Sequence, residues 1–512
     1  MAAGDILPFG VPVRVPVSNR LITVLLITCS AVSSATTGFD SAMMNGLNIL
    51  PSYNNYFQLN SVTRALNTAS LYVGGCLAGL VWGFVVDKLG RRPALFWAAV
   101  LTLAGVALQT AAQHVAMFII ARIIVGFGNV STIITAPSYL AETLPWNQKV
   151  VGLGILSDFY FVGALIASAV TYASGRLEPS TWAWRLPSAL QGVFSLVCIG
   201  ILPFLPESPR WLVSKGLHDQ AWAVLSVTNG GTAKLENAER IRIQFREICD
   251  TLEFERTPEA KMSLSQIIHN PGAKKRLIIT CSCAFMSYLG GNLIVSYYLG
   301  QMLNNAGIRD TTTQLQINVV LNAWCLVISL IGVAVTNKLG MKFSVLMSTG
   351  LAAIALFIVG GLTKLYGTST YTPGVYATVA MIFIFMGTYS LGWTPVLYLV
   401  PAQVLNFRMR AVGQSLFQLI GCSTGLWAVF SFPIALDKIG WKTYLINGSW
   451  NLVMFAFIAW YWVEIRNKTL EEVDEVFDGV KHSEVVDVKV IEKRIKHSYS
   501  IRKGLGSVSS RM

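Results

Sequence analysis

Charged residues are scarce in this chain. Asp, Glu, Lys and Arg make up 13% of its 512 residues, whereas they make up about a quarter of an ordinary soluble domain. Hydrophobic residues account for 53% of the sequence, and the mean hydropathy is +0.55. This composition excludes a typical soluble domain and indicates a protein that lies largely within a membrane.

Motifs for enzymatic chemistry are missing as well. The sequence has no G-x-x-x-x-G-K-[ST] loop, which disfavours coupling to ATP hydrolysis, and no constellation of a nucleophile with a base. The eight cysteines stand mostly in apolar runs without metal-ligand spacing, so we interpret Cys281 and Cys283 as small helix-packing residues. The sequence therefore predicts a protein that is not an enzyme and that binds no metal or cofactor.

The basic residues lie mainly in short segments between apolar runs and in the C-terminal tail. The formal net charge is +13, which on its own would be compatible with nucleic-acid binding. Lys and Arg in short loops, however, mark the cytoplasmic side of membrane proteins. We therefore interpret the charge as a record of membrane topology and predict no nucleic-acid partner.

The apolar runs predict an all-α membrane protein with twelve transmembrane helices, because a helix needs about 20 apolar residues to cross a bilayer. The expected spans are at about 21–47, 67–86, 94–112, 117–138, 150–173, 184–204, 276–303, 314–336, 343–363, 375–402, 411–434 and 443–463.

The spans divide the chain into five parts. We expect a cytoplasmic N-terminal segment at 1–20, six-helix bundles at 21–205 and 276–464, a cytoplasmic linker at 206–275, and a cytoplasmic tail at 465–512. Helical periodicity within the linker covers 220–227 and 238–254. With both termini inside, the short cytoplasmic segments contain twelve Lys and Arg residues and the external ones seven. This excess favours that orientation.

A basic turn occurs twice, once in each half of the chain. The segment DKLGRRP at 87–93 separates two predicted spans, and the weaker copy NKLGMK begins 250 positions later, at 337. Large internal duplications in apolar chains are typical of transporters. The repeat therefore favours a transport protein with two related halves.

Charged side chains inside predicted spans are functional candidates, because a charge in the membrane interior is costly. Asp40 lies in the first span and Arg122 in the fourth. They either form a structural ion pair or act as a proton switch, in which the carboxylate gains and loses a proton as its distance from Arg122 changes. Asp158, in the fifth span, is either satisfied by neighbouring hydroxyls or contacts a substrate.

Seven ordered motifs between about residues 20 and 475 resemble the sugar-porter branch of the major facilitator superfamily. Two further segments, NILPSY at 48–53 and VSYYL at 295–299, are most similar to fungal lactose-permease-like members. The seven motifs are GFD ending at Asp40, DKLGRR at 87–92, R-x-x-x-G-x-G at 122–128, PSYLAE at 137–142, WR at 184–185, PESPRWL at 206–212 and E-x-x-x-K-T-L-E-E at 464–472.

The resemblance implies the major facilitator fold and a secondary transporter that works by alternating access. It implies that Asp40 couples transport to protons and that Arg122 is its partner. It also implies a cytoplasmic network of charges that latches the two halves when the outside is open, formed by Asp87, Arg91, Arg92, Glu142, Glu207, Arg210, Arg410 and Glu464.

The predicted substrate site departs from the family pattern. Its residues are Ser157, Asp158, Ser287, Tyr288, Asn292, Tyr297, Tyr298, Tyr398 and Trp427. Sugars are bound well by amides, which offer a donor and an acceptor together, but Ser157, Ser287, Tyr288, Cys325 and Leu426 stand where amides are usual. Either the pocket takes a different ligand or the alignment of a helix is shifted by one residue.

The leading hypothesis is a proton-coupled symporter of a hexose or a disaccharide. One alternative is a carrier that imports or exports a non-sugar metabolite. Another, with less support, is a transporter-like sugar sensor, but a sensor would be expected to have a longer tail. The expected partners are the small-molecule substrate, the proton and the lipid bilayer. We expect a monomeric, multi-pass protein of the plasma membrane.

Overall fold

A computed structural model describes residues 19–144, 146–229, 235–256, 269–367, 369, 371–397, 399–405, 409–464 and 477. These residues form nineteen α-helices, together with two short 3-10 turns at Gly175–Leu177 and Leu202–Phe204. No strand occurs among them.

The helices of the first part of the chain are α1 (Asn19–Ile49), α2 (Pro51–Tyr56), α3 (Ser61–Leu89), α4 (Arg91–Thr110), α5 (Val115–Thr143), α6 (Trp146–Ser174), α7 (Trp182–Leu190), α8 (Gly192–Ile201), α9 (Pro209–Ser214), α10 (His218–Thr228) and α11 (Leu235–Arg256). Those of the second part are α12 (Pro271–Leu289), α13 (Asn292–Ala306), α14 (Thr311–Leu339), α15 (Met341–Tyr366), α16 (Thr372–Val396), α17 (Leu399–Val404), α18 (Arg410–Ile439) and α19 (Lys442–Tyr461).

Eleven stretches of the described chain are long and apolar enough to cross a membrane. They coincide with the first eleven predicted spans. The twelfth span corresponds to α19, which has 20 residues and packs against α15 but is not among these eleven stretches. Its Asn447 and Asn451 are buried and lower its hydropathy. A multi-pass membrane protein follows from these helices.

The helices pack as two bundles. In the first, α1 lies along α6, and α5 contacts both α3 and α4; in the second, α15 lies along α16 and α19. The most extensive contacts between the bundles are those of α1 with α13, α3 with α18, and α6 with α14. The interface between the halves therefore runs through the middle of the molecule.

Two predicted spans are broken near their middle, which the hydropathy pattern does not show. In the sixth, the hydrogen bonding is interrupted between α7 and α8 at Gln191, whose φ of −54° and ψ of −34° remain helical, and Pro187 lies just before this point. The seventh is divided at Gly290 and Gly291, and Gly291 adopts a φ of 97°, which favours glycine. Asn447 donates to the Leu289 carbonyl (3.1 Å) and Asn451 to the Gly290 carbonyl (3.1 Å), so the amides of α19 satisfy the free carbonyls at this second break.

The predicted linker contains three helices that share a small core. Trp211 and Leu212 of α9 pack with Ala221 of α10 and Leu252 of α11. Helices α10 and α11 cover the two segments for which the sequence predicts helical periodicity. Residues 257–268, also in the linker, lie outside the described residues.

Candidate functional site

A buried ion pair lies at the centre of the first bundle. Asp40 of α1 and Arg122 of α5 are both 0% exposed, and Nη1 of Arg122 donates to Oδ1 of Asp40. The structure thus brings together the two intramembrane charges that the sequence singles out. A buried charge is tolerated when its partner is present, and removing one partner is strongly destabilising.

A third buried residue, Gln191, contacts the same carboxylate. Its Nε2 donates to Asp40 Oδ1 at 2.7 Å, from the break between α7 and α8. Within the described chain, Oδ2 of Asp40, Nε and Nη2 of Arg122 and Oε1 of Gln191 have no hydrogen-bond partner. Four polar atoms of this buried group are therefore left unsatisfied by the described chain.

The ion pair is linked to the second half through tyrosines. Ser41, next to Asp40, interacts with the hydroxyl of Tyr297 on α13. The hydroxyl of Tyr72 on α3 lies 3.4 Å from that of Tyr297, and the Tyr72 ring meets the Tyr288 ring edge-on at 6.1 Å. With Tyr298, whose ring centre is 6.5 Å from that of Tyr297, these residues form what we call the tyrosine cluster.

The tyrosine cluster joins helices of both bundles. Tyr72 belongs to the first half, whereas Tyr288, Tyr297 and Tyr298 belong to the second. The hydroxyl of Tyr298 donates to the Val429 carbonyl of α18 at 2.7 Å. Three of the four tyrosines are predicted substrate-site residues, and the structure brings these three together.

Helix α13 is kinked at Tyr298, whose φ of −131° and ψ of 27° are not helical. In a continuous helix the Leu299 N–H would bond to the Val295 carbonyl. Here the side chain of Asn45 on α1 serves both groups: it accepts from Leu299 N at 3.1 Å and donates to Val295 O at 3.4 Å. Asn45 thus fills the broken bond of α13 from the opposite half.

The other predicted substrate-site residues occupy varied positions. The hydroxyls of Ser157 and Ser287 bond to carbonyls of their own helices, Leu153 and Ala284, at 3.2 and 2.9 Å. Asp158 is 6% exposed and interacts with Ser329 of α14 in the other half. Asn292 is the first residue of α13, and its Oδ1 has no partner in the described chain.

One predicted substrate-site residue, Trp427, is not brought to the tyrosine cluster. Trp427 is 62% exposed. It lies on the side of α18 opposite to Gly425, which faces the Tyr72 ring, since two residues turn a helix by about 200°. The neighbouring Leu426 packs against the central core instead. Tyr398 lies outside the described residues.

The predicted cytoplasmic network is largely assembled at the start of α4. Arg91 pairs with Glu142 (Nε to Oε2, 3.0 Å) and with Asp87 (Nη1 to Oδ1, 3.6 Å). The backbone N–H of Arg91 donates to Glu207 at 2.9 Å, and that of Arg92 at 3.1 Å. Burial raises the pKa of Glu207 to about 7, although the backbone N–H donors act in the opposite direction.

The second half repeats this arrangement. Glu464 accepts from Met341 N at 3.2 Å and from Lys342 N at 3.0 Å, as Glu207 does at the start of α4. Gly90 and Gly340 precede the two helix starts with φ of 101° and 98°, and a Cβ at either would clash with the carboxylate. Arg210, in α9, is half-buried. Arg410 begins α18, and its side chain lies outside the described part of the chain.

Two residues that contact the candidate site were not predicted from the sequence. Gln191 and Tyr72 are uncharged, so neither stands out as a charge inside its span. A single amide in the middle of the otherwise apolar run 184–204 was the available signal for Gln191. No comparable signal exists for Tyr72, because tyrosine is common in membrane helices.

Twelve membrane-spanning segments form two bundles, and an ion pair lies beside the interface between the bundles. This arrangement defines a membrane transport protein of the major facilitator fold. The family model described as sugar (and other) transporter matches residues 26–477, and the chain belongs to this family. Its internal repeat and its cytoplasmic motifs agree with that membership.

Similar proteins include fungal and bacterial transporters. The MFS-type transporter criB of Aspergillus cristatus is 27% identical over 459 residues, which cover 89% of this chain and 94% of criB. The arabinose-proton symporter of Bacillus subtilis is 28% identical over 490 residues, covering 91% and 97%. Among solved structures, the proton:xylose symporter XylE of E. coli bound to 6-bromo-6-deoxy-D-glucose aligns with a TM-score of 0.75 at 20% identity, over 90% of this chain and 100% of XylE.

Proposed function

We propose that this protein is a proton-coupled symporter of a small solute, with a sugar as the leading substrate, that works by alternating access in the plasma membrane. The observation that carries the proposal is the buried group of Asp40, Arg122 and Gln191, which contacts the interface between the halves through Ser41 and Tyr297. The name of the arabinose-proton symporter and the proton:xylose symporter structure support the same function.

The ion pair supplies a physical route to coupling. As long as Arg122 contacts Asp40, the charge of the carboxylate is compensated and no proton is needed. A movement that takes the guanidinium away leaves an uncompensated charge in the membrane interior, which a proton neutralises at lower cost. Because Ser41 and Tyr297 interact, a movement of α13 that accompanies substrate binding also moves the backbone beside Asp40.

The contacts between the halves indicate which side is closed. Asn45, Asn48, Tyr172 and Ser61 of the first half bond to residues of the second half. All four lie toward the end of their span that the topology places outside. We propose that the structure represents the state in which the outside is closed, and that the cytoplasmic network around Glu207 becomes a latch between the halves when the outside opens.

A non-sugar metabolite is the second candidate substrate. The observation that favours it is the chemistry of the interface: Ser157 and Ser287 return their hydroxyls to their own helices, and the neighbouring groups are phenols. Tyrosine offers a large amphipathic surface with few hydrogen-bond requirements, which suits an aromatic or apolar solute. If a sugar is the substrate, Tyr298→Ala should abolish its uptake.

The deciding experiment is uptake into proteoliposomes with an imposed pH gradient. A panel of labelled pentoses, hexoses, disaccharides and polyols is tested, and saturable accumulation of one of them supports the sugar symporter. In Asp40→Asn we expect no accumulation, whereas exchange of substrate between the two sides continues. Accumulation by Asp40→Asn would refute the coupling role of Asp40.

The same preparation separates the remaining alternatives. If the protein at the cell surface transports no sugar, a non-sugar substrate is favoured, and the double variant Ser157→Gln with Tyr288→Gln should restore some sugar recognition. If a solute binds but neither uptake nor exchange occurs, the chain is a sensor and the proposal is wrong.

A further inference from the structure

A small pocket lined by hydroxyls lies on the predicted cytoplasmic side of the ion pair. Ser30, Ser33 and Ser34 of α1 face Thr132, Ile133 and Pro137 of α5 across it. The residues that line it carry no titratable side chain. Ser34 precedes Asp40 by six residues, so the pocket begins about 9 Å from the carboxylate along the helix.

The pocket contains polar groups that the protein leaves unsatisfied. Ser30 is 0% exposed, lines the pocket, and its hydroxyl has no hydrogen-bond partner in the described chain. Pro137 lies within α5 and has no N–H, so it cannot donate to the Ile133 carbonyl four residues earlier. In the membrane interior, a hydroxyl without a partner costs several kcal/mol, and a carbonyl that has lost its helical donor gains from any new one.

Water is the ligand that fits these groups. The pocket has room for about one water molecule. A water there can donate to the Ile133 carbonyl and bond to the hydroxyls of Ser30 and Ser34, which gives it the three partners typical of a buried water. The lining residues provide no carboxylate, which a tightly held metal cation would require.

Further unsatisfied groups continue from the pocket to the ion pair. On α1, the Thr37 hydroxyl is shielded from solvent and has no partner among the described residues; it stands one turn from Asp40 and one turn from Ser33. On α5, Asn129 is buried, and the same part of the chain offers no partner to either atom of its amide. Asn129 follows Arg122 by seven residues, which places the two on one face of α5.

We propose that the pocket binds an ordered water and, through Thr37 and Asn129, forms the route by which Asp40 exchanges protons with the cytoplasm. The route lies between α1 and α5 within the first bundle and uses none of the four tyrosines of the cluster. Proton release therefore does not need the tyrosine cluster to open. The presence of the water does not depend on the proposed symport. The role of the pocket as a proton route does rest on that symport.

The water is tested by hydroxyl-radical footprinting of the full-length protein in lipid nanodiscs, because radicals formed from bound water modify adjacent side chains. We expect Ile133 and Leu156, both at the pocket, to be modified several times faster than Val125, a fully buried residue of α5. Ser30→Val, which fills the pocket, should remove the difference. Equal modification of Ile133 and Val125 in the wild type would show a dry pocket and overturn the inference.

The route is tested by infrared difference spectroscopy, which needs no substrate. The spectrum of wild type minus Asp40→Asn identifies the protonated Asp40 carboxyl, and a jump into D₂O measures its exchange. We expect exchange to slow at least tenfold in Asn129→Leu and in Thr37→Val. Ser188→Ala is the control, because that buried hydroxyl bonds only to the Trp184 carbonyl of its own helix at 2.9 Å.

The outcomes are distinct. If no Asp40 carboxyl is detected at any pH at which the protein is folded, the proposed proton coupling fails, and the role as a route fails with it. If the carboxyl is detected and Asn129→Leu and Thr37→Val exchange as fast as Ser188→Ala, the coupling stands and the route is refuted.

Discussion

Replacing Asn45 by leucine should open the outside of the transporter. In the closed state, the Asn45 side chain bonds to the Leu299 N–H and the Val295 carbonyl at the kink of α13 and donates to Asn318 Oδ1 at 3.1 Å. Leucine has the same number and branching of side-chain heavy atoms but no polar group. Asn45→Leu therefore leaves two backbone groups buried without partners while the halves are in contact.

The expected magnitude follows from those two groups. An unsatisfied buried donor or acceptor costs about 1–3 kcal/mol. At about 1 kcal/mol each, the closed state loses about 2 kcal/mol. When α13 moves away from α1, Leu299 N can bond to Val295 O within its own helix, so the open state bears no such cost. A difference of about 2 kcal/mol shifts the population toward the open state roughly thirtyfold.

The assay is labelling from the outside with a membrane-impermeant thiol reagent. A cysteine at Ser41, about one turn deeper than Asn45, reports opening in a chain from which the other cysteines have been replaced. The control is Asn54→Leu, because Asn54 bonds, within the described residues, to the carbonyls of Asn48 and Leu50 in its own half. If Asn45→Leu is labelled no faster than Asn54→Leu, Asn45 does not hold the kink and the reasoning fails.

Four further predictions concern coupling, the cytoplasmic network and topology. Gln191→Leu should retain the ion pair but lower proton-driven accumulation about tenfold relative to exchange, since one charge-assisted hydrogen bond is worth about 1.5–3 kcal/mol; equal losses of both activities would indicate a purely structural role. The pKa of Glu207 is raised from 4.5 to about 7, so folding favours the protonated carboxyl. This preference stabilises the folded protein below about pH 4.5, and the stabilisation is lost as the pH rises through about 7. Glu207→Gln should therefore gain thermal stability relative to the wild type between pH 6 and pH 8, and a pH-independent difference in Tm would contradict the shift. Arg91→Ala should destabilise the start of α4 more than Lys88→Ala does, because Arg91 pairs with Glu142 at 3.0 Å; limited proteolysis within the linker measures this, and equal cleavage of the two variants counts against it. Thiol labelling of intact cells should succeed at an engineered cysteine near Asn54 and fail near Ala223, and the reverse pattern would invert the topology.

The fold was predictable because it depends mainly on the summed hydropathy of each span. A span needs about 20 apolar residues regardless of which face each one occupies, so the twelve runs appear in the hydropathy without knowledge of contacts. The break at Gly291 was not predictable in this way, because a break depends on whether another helix can satisfy the freed backbone groups. Asn447 and Asn451, which satisfy them, lie more than 150 residues further along the chain.

The candidate site was predictable where charge is involved. Asp40 and Arg122 each violate the apolar pattern of a span, and each charge demands a partner. Neutral groups carry no such demand, so Gln191 escaped notice although it contacts the same carboxylate. The orientation of Trp427 could not be predicted for a geometric reason. Neighbouring residues on a helix point about 100° apart, so an alignment uncertain by one residue cannot distinguish Trp427 from Leu426.

The two halves use one scaffold for different purposes. Positions 90 and 340, 250 residues apart, are the glycines before α4 and α15, and Glu207 and Glu464 close the two helix starts alike. With the same spacing, Asp40 corresponds to Gly290. In the first half, Gln191 of the sixth span donates to Asp40 of the first; in the second half, Asn451 of the twelfth span donates to the Gly290 carbonyl of the seventh. An amide from the last helix of each half thus reaches an equivalent point of that half's first helix. It meets a carboxylate in one case and the free carbonyl of a broken helix in the other. The first half is therefore suited to holding and exchanging a charge and the second to bending, and the contact of Ser41 with Tyr297 connects the two.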